Sequence, residues 1–203
     1  MRRGEESPMI DEKIVAVFGS SRPLERDADY AEARELGRQL AERGFAVCSG
    51  GYGGAMEAAS RGAKEAGGKT YGVTAEFFAR GANEWIDVEV RKKTWEERLF
   101  ALIHLADGFV ACKGGTGTLV ELAVVWEMLN KSVMTGKPCA VLGDFWQPIL
   151  DRVREVEQGP RGSSESWVWG EANGNLIHRA ETPEAAASYL AEKLKVGKVE
   201  KGN

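Results

Sequence analysis

Short apolar runs alternate with longer segments of helical periodicity, and this alternation most constrains how the chain folds. Runs that are apolar at nearly every position are typical of strands covered on both faces of a parallel sheet. The predicted strands are Ile14–Phe18, Phe45–Ser49, Lys69–Val73, Ile86–Val90, Gly108–Cys112, Pro138–Gly143 and Leu176–Ala180, and the predicted helices are Tyr30–Arg43, Ala55–Ala66, Thr94–Ala106, Thr118–Asn130, Pro148–Glu157 and Pro183–Lys195. The pattern predicts an α/β fold: a Rossmann-like three-layer domain with a mostly parallel sheet flanked by helices.

Length and charge narrow the class of protein. The 203 residues suit a single domain over 1–203, with polar ends at 1–12 and 196–203 that we expect to be flexible tails. The net charge of -4 disfavours a dedicated nucleic-acid binder. No apolar run is long enough for a signal peptide or a membrane span, so we predict a cytoplasmic protein without a membrane partner.

The cysteines and histidines do not predict a metal site. Cys48, Cys112 and Cys139 are far apart and form no CxxC pair, which favours buried, reduced thiols. His104 and His178 each stand alone in an apolar segment, and we predict that both are packed rather than ligating.

Three turns that follow predicted strands are rich in glycine or serine, and all three are expected at the carboxyl edge of the sheet, where open α/β sheets bind ligands. Helix N-termini there offer unpaired N–H groups, and glycines let a phosphate approach the backbone. The predicted phosphate- or nucleotide-binding residues are Gly19, Ser20, Ser21, Gly50, Gly51, Gly53, Gly54, Gly114, Gly115, Thr116, Gly117 and Thr118. The alternative for the Gly114–Thr118 segment is a plain tight turn. Arg22, beside the first turn, is a further candidate contact for a base or phosphate.

Two standard nucleotide signatures are missing. The first turn has one glycine rather than GxGxxG, the second strand ends in Ser49-Gly50 rather than in an acid, and no GxxxxGK[ST] string occurs. We therefore expect no dinucleotide or other resident cofactor.

The predicted helix Thr118–Asn130 is apolar on every face, which indicates burial in the core or in a subunit interface. Glu121 lies in its first turn, either as a residue that interacts with the helix dipole or as a carboxylate of the site. Arg98 lies near the start of the preceding helix. Its alternatives are a solvated surface position, or a pair with Glu121 or a bound phosphate.

These residues resemble a known family. The run GFVACKGGTGTLVEL, with Arg98 upstream and KPCAVLGDFWQPIL downstream, resembles the LONELY GUY (LOG) family, whose motif is PGGxGTxxE. The similarity covers about residues 13–157. Lys113 replaces the proline of the motif. In addition, Glu96 and Leu99 replace the histidine and lysine of the family's Met-His-x-Arg-Lys string.

The resemblance implies a Rossmann-like homodimer that hydrolyses the N-glycosidic bond of a nucleoside 5′-monophosphate to free base and ribose 5-phosphate. The apolar helix itself predicts either a homodimer or a homotetramer. By motif position, Gly114–Thr118 would hold the 5′-phosphate, and Glu121 and Arg98 would be catalytic, without a metal. The replaced histidine and lysine motivate a second hypothesis, a non-catalytic carrier or sensor of a nucleotide or of a molybdenum-cofactor-type ligand. A third is an oligomeric scaffold. The segment Gly159–Asn175, with Trp167 and Trp169, is either a surface loop or a flap over a site.

Overall fold

The computed structural model describes residues 12–157 and 176–196, which form a seven-stranded sheet with every neighbouring pair parallel. The strand order is β4-β3-β2-β1-β5-β6-β7. The strands are β1 (Ile14–Phe18), β2 (Ala46–Ser49), β3 (Thr70–Ala75), β4 (Val88–Lys92), β5 (Gly108–Ala111), β6 (Cys139–Leu142) and β7 (Ile177–Ala180). The helices are α1 (Ala28–Glu42), α2 (Ala55–Glu65), α3 (Trp95–Leu105), α4 (Thr116–Asn130), α5 (Gln147–Glu157) and α6 (Pro183–Leu194). The predicted α/β fold is confirmed.

Alternating residues of the central strand explain the three layers. In β1, Val15 and Val17 pack with α1, α2 and α6 on one face, whereas Ala16 and Phe18 pack with α3, α4 and α5 on the other. Because both faces are covered, the strand has no polar side, as its apolar run predicts.

The connections place the carboxyl ends of β1 and β5 at a topological switch point. From β1 the chain runs outward through β2 and β3 to β4, then crosses back to β5, which pairs with β1 on its other side, and continues outward to β7. Ligands of open α/β sheets bind in the crevice that such a reversal leaves.

Two element boundaries differ from the sequence prediction in informative ways. Helix α4 begins at Thr116 rather than Thr118, so part of the predicted glycine loop is its first turn. Strand β4 starts at Val88 rather than Ile86 and is largely exposed, because it is the edge of the sheet and its polar residues give no clear apolar pattern.

The apolar helix α4 is only partly buried in a single chain. Leu122, Val125 and Leu129 face the core, while Trp126 is half-buried and Ala123 is exposed. An apolar groove of about 210 Å³ runs between this outer face and α5. The core therefore accounts for one side of the helix, and the subunit interface stays a prediction for the other.

Within the described ranges, no helix is long and apolar enough to cross a membrane. The segment that carries Trp167 and Trp169 lies outside the described residues, and so do most of the predicted tails.

Candidate functional site

A cavity of about 860 Å³ opens at the carboxyl edge of the sheet, beside the switch point. Its walls come from the turn after β1, the start of α1, the segment before α2, the connection from β3 to β4, the start of α3 and the loop that opens α4. The lining residues are Gly19, Ser20, Ser21, Arg22, Pro23, Asp27, Asp29, Tyr52, Met56, Phe78, Arg80, Trp95, Arg98, Leu99, Lys113, Gly114, Gly115, Thr116, Gly117, Thr118, Glu121 and Phe145.

The Gly114–Thr118 segment presents a helix N-terminus to this cavity. Gly115 is the N-cap of α4, and no side chain caps the helix, so its first N–H groups have no partner within it. A Cβ on Gly115 or Gly117 would meet no atom within 4 Å, whereas a Cβ on Gly114 would lie 2.2 Å from Thr118 Oγ1. Gly115 and Gly117 thus leave space open to the cavity, whereas the missing side chain of Gly114 lets the backbone pack closely against Thr118. The arrangement suits an anion.

The turn after β1 lies against this segment. The backbone N–H of Ser20 donates to the carbonyl of Lys113 at 3.2 Å, which joins the first turn to the loop before α4. Gly19, Ser20 and Ser21 all line the cavity, as does the neighbouring Arg22. The structure therefore brings two of the three predicted turns to one site.

The second glycine segment does not line the cavity through its glycines. Gly50, Gly51, Gly53 and Gly54 all lie outside the lining. Gly54 is the N-cap of α2 with φ +70°, and a Cβ there would lie 2.3 Å from the carbonyl oxygen of Ser20. These residues support the wall of the site from behind.

Arg98 is buried, with 6% of its surface exposed, and this decides between its two sequence alternatives. Its Nε donates to the carbonyl of Val73 at 2.8 Å, and its Nη2 donates to the carbonyl of Gly50 at 3.3 Å. Its Nη1 lies 3.7 Å from Oε1 of Glu121. Arg98 is therefore a wall residue of the cavity that pairs with Glu121, not a solvated surface cation.

Glu121 projects from the second turn of α4 into the cavity, beside Arg98. Burial raises the pKa of this carboxyl to about 7, and the nearby Arg98 acts in the opposite direction. A carboxyl group that titrates near neutral pH in a cleft is suited to acid, base or charge-stabilising chemistry.

Lys113 is at the mouth of the cavity. Its ammonium lies 2.9 Å from the carboxylate of Asp29, and about half of its side chain is exposed. The lysine is therefore solvated and paired, unlike the desolvated lysine that forms a Schiff base.

Several aromatic residues of the cavity were not singled out from the sequence. Tyr52, Phe78, Trp95 and Phe145 all line it. The one available signal was Tyr52, a large aromatic residue inside a run of glycines. The other three lie in or next to short connections or at a helix start, where no periodicity marks them.

The described residues hold no group of three or more His, Cys, Asp or Glu side chains placed to bind a metal ion. His178 stacks on Tyr189 with ring centroids 4.0 Å apart, as expected for a packed histidine. His104 is exposed on α3 instead, so its predicted packing is wrong: the apolar face of the helix turns away from it.

Comparison with known proteins gives related enzymes and related folds. Residues 12–158 match the model of the SLOG cluster4 family. A probable cytokinin riboside 5′-monophosphate phosphoribohydrolase of Oryza sativa subsp. japonica is 30% identical over 165 residues, 77% of this chain and 69% of that protein. A cytokinin riboside 5′-monophosphate phosphoribohydrolase of Mycobacterium marinum is 33% identical over 132 residues, 61% of this chain and 70% of that protein.

Among solved structures, the molybdenum cofactor binding protein of Rippkaea orientalis superposes with a TM-score of 0.70. It covers 91% of this chain and 99% of its own, but its identity of 23% shows a common fold alone. The match to the family model extends over the glycine segments, Arg98 and Glu121. The chain belongs to the SLOG cluster4 family, and its resemblance to the LOG family is confirmed.

Proposed function

We propose that the protein is a phosphoribohydrolase that cleaves the N-glycosidic bond of a nucleoside 5′-monophosphate, giving free base and ribose 5-phosphate. One observation carries the proposal: the largely buried carboxyl of Glu121 and the open N-terminus of α4 face the same cavity, one helical turn apart. The relatives named as phosphoribohydrolases support this substrate class.

The 5′-phosphate binds at the first N–H groups of α4, where the helix dipole and the space beside Gly115 and Gly117 favour an anion. Ser20 and Arg22 of the first turn lie on the same cavity wall and add a hydroxyl and a positive charge. This placement brings the ribose to the next turn of α4, beside Glu121.

Cleavage of a glycosidic bond passes through a sugar with cationic character. The ionised Glu121 stabilises that charge and accepts a proton from the attacking water, whose oxygen bonds to C1′ as the bond to the base nitrogen breaks. Glu121 then returns this proton to solvent, and the departing base nitrogen takes one up from solvent. Arg98, fixed on backbone carbonyls, places its positive charge 3.7 Å from the carboxylate of Glu121. The reaction uses water alone as co-substrate.

Glu121→Gln tests the role of the carboxylate. We expect kcat for base release to fall by about a thousandfold, because the amide neither carries charge nor accepts the proton. Binding of the nucleotide, measured by calorimetry, should persist. Glu192→Gln is the control, since Glu192 lies on α6 with its side chain largely exposed and lines neither this cavity nor the groove between α4 and α5. Turnover by Glu121→Gln at the wild-type rate would contradict the assignment.

A second candidate, a non-catalytic carrier of a phosphorylated ligand, is favoured by one feature of the cavity. Leu99 lines it at the position where the LOG string has lysine. A carrier of this kind would bind a nucleotide or a ligand such as the molybdenum cofactor, which the Rippkaea orientalis protein is named for binding. Tight binding of nucleoside monophosphates without release of base would favour this candidate.

We also infer that the chain forms a homodimer or homotetramer through the outer face of α4. Trp126 and the groove toward α5 leave apolar surface open in one chain. Trp126→Asp should shift the sedimentation coefficient to that of a monomer, and a wild-type monomer at micromolar concentration would contradict this inference.

A further inference from the structure

The second glycine segment reaches the cavity through Tyr52 rather than through its glycines. The Tyr52 side chain is buried, and its hydroxyl is fixed from two directions. The backbone N–H of Ala75 donates to Tyr52 Oη at 2.9 Å, and the hydroxyl donates to the carbonyl of Ala75 at 3.3 Å. Asn83 donates to the Tyr52 carbonyl at 2.8 Å. The ring is therefore held as a fixed surface at the end of β3.

This fixed ring forms part of an aromatic cage around Arg98. The guanidinium carbon lies 5.5 Å from the ring centroid of Tyr52 and 5.9 Å from that of Phe78. The two rings meet edge to face, with centroids 5.2 Å apart. Each contact with a desolvated guanidinium is favourable. The rings and the two backbone carbonyls that accept from Arg98 therefore hold it from several sides.

The cage explains why the pair with Glu121 is long. The distance of 3.7 Å between Arg98 Nη1 and Glu121 Oε1 exceeds that of a hydrogen-bonded ion pair, which is about 2.8 Å. A free arginine would close this gap and occupy the carboxylate. Restraint by the cage leaves the oxygens of Glu121 available to face the cavity.

We propose that Tyr52 and Phe78 are positioning residues, which hold Arg98 short of direct contact with Glu121 and so keep this carboxylate free for the ligand. The inference rests on the proposed function for its catalytic consequence, but its structural content concerns the ligand-free protein. The role of the second glycine segment is then to carry Tyr52, whose ring restrains Arg98.

Several charged groups around the cavity could also influence the pKa of Glu121. Arg80 also lines the cavity, and its guanidinium carbon lies 4.8 Å from the Tyr52 ring centroid. Arg22 lies in the turn after β1, Asp27 and Asp29 lie at the start of α1, and Lys113 lies before α4. Among the described cations, Arg98 is the one within 4 Å of the Glu121 carboxylate. Loss of a cage ring should therefore act on Glu121 through Arg98.

The test compares Phe78→Leu with Phe77→Leu. Both phenylalanines lie on the same short turn after β3, but Phe77 is 74% exposed and outside the cavity lining, whereas Phe78 contacts Arg98. The first readout is the pKa of Glu121, which is measured from the NMR shift of its carboxyl carbon as the ligand-free protein is titrated. We expect Phe78→Leu to lower this pKa, because the released Arg98 moves onto the carboxylate, and Phe77→Leu to leave it unchanged.

The second readout is the pH dependence of kcat for base release. Phe78→Leu should move the acid limb to lower pH and reduce the plateau roughly tenfold, since the arginine now competes for Glu121. Tyr52→Leu should have the same effects, and larger ones, if this variant folds. If it does not fold, Phe78→Leu still provides the test, because Phe78 is an exposed residue.

Three results would overturn the inference: an unmoved Glu121 pKa in Phe78→Leu, an equal shift in Phe77→Leu, or an effect confined to KM. If the wild type releases no base, the proposed function fails, and the NMR titration still decides whether the cage positions Arg98.

Discussion

The two glycine segments that follow β2 and β5 look alike in sequence but face different neighbours. In Gly114–Thr118, Gly115 and Gly117 have open space where a Cβ would be, and they face the cavity. In the segment from Gly50 to Gly54, a Cβ at Gly50 would lie 2.0 Å from Arg98 Nη2, and one at Gly54 would meet backbone. The first segment makes room for a ligand, and the second makes room for the protein itself. Glycine content alone therefore does not identify a phosphate site.

Gly54→Ala should destabilise the protein by about 4 kcal/mol, because φ +70° is unfavourable for alanine and its Cβ would press on the backbone of Ser20 and Ser21. Chemical denaturation measures this change. A decrease in the free energy of unfolding below about 1 kcal/mol would mean that the turn after β1 can move away from the new methyl group. The packing role that we give to the second segment would then be wrong.

The pH dependence of stability should differ between the wild type and Glu121→Gln. Burial raises the pKa of Glu121 in the folded protein to about 7, above the usual value of 4.5. Below pH 4.5 the carboxyl is protonated in both folded and unfolded chains. As the pH rises toward 7 the unfolded chain ionises first, so wild-type stability falls. The contribution is at most about 3 kcal/mol and is complete above the folded pKa.

Glu121→Gln has no such titration, so its stability relative to the wild type should increase between pH 4.5 and 7. Denaturant titrations at several pH values measure the difference. If the free energy of unfolding depended on pH in the same way for both proteins, the pKa of Glu121 would not be raised in the folded protein.

Gly50→Ala should cost about 2 kcal/mol, because its Cβ displaces the ends of the Arg98 and Met56 side chains rather than backbone. The displaced arginine should also reduce kcat for base release by about thirtyfold. Steady-state kinetics with a thermal-unfolding control separates the two effects. A variant with wild-type kcat would show that the position of Arg98 does not matter for turnover.

Gly117→Ala should not destabilise the protein, since its Cβ meets no protein atom within 4 Å and alanine is favoured over glycine within a helix. The methyl group should instead obstruct the phosphate and raise KM by about tenfold. Loss of stability without a change in KM would reverse the roles that we assign to the two segments.

The fold was largely predictable from sequence, because most buried strands are apolar runs and because α1 and α2 end just before Gly44 and Gly67. The start of α4 was missed by two residues, since Thr116 and Gly117 carry no capping signal and Gly115 acts as the N-cap. Strand β4 was shifted because an exposed edge strand needs no apolar face.

The candidate site was predictable only in part. Its motif residues followed from the turns and from the family resemblance, but the state of Arg98 did not. An arginine near a helix start is ordinarily solvated, and its burial depends on carbonyls from β3 and the second glycine segment, which lie far away in sequence. The same holds for Phe78, whose contact with Arg98 arises from tertiary structure alone.

Base release from a panel of nucleosides, each with and without the 5′-phosphate, measured by chromatography, tests the central claim most directly. We predict that one or more monophosphates yield free base and ribose 5-phosphate. The matching nucleoside should be cleaved far more slowly, because it lacks the phosphate that the α4 N-terminus binds. Absence of base release across the panel, with calorimetry showing binding, would contradict the hydrolase and favour the carrier. Equal cleavage of nucleoside and monophosphate would contradict the phosphate site.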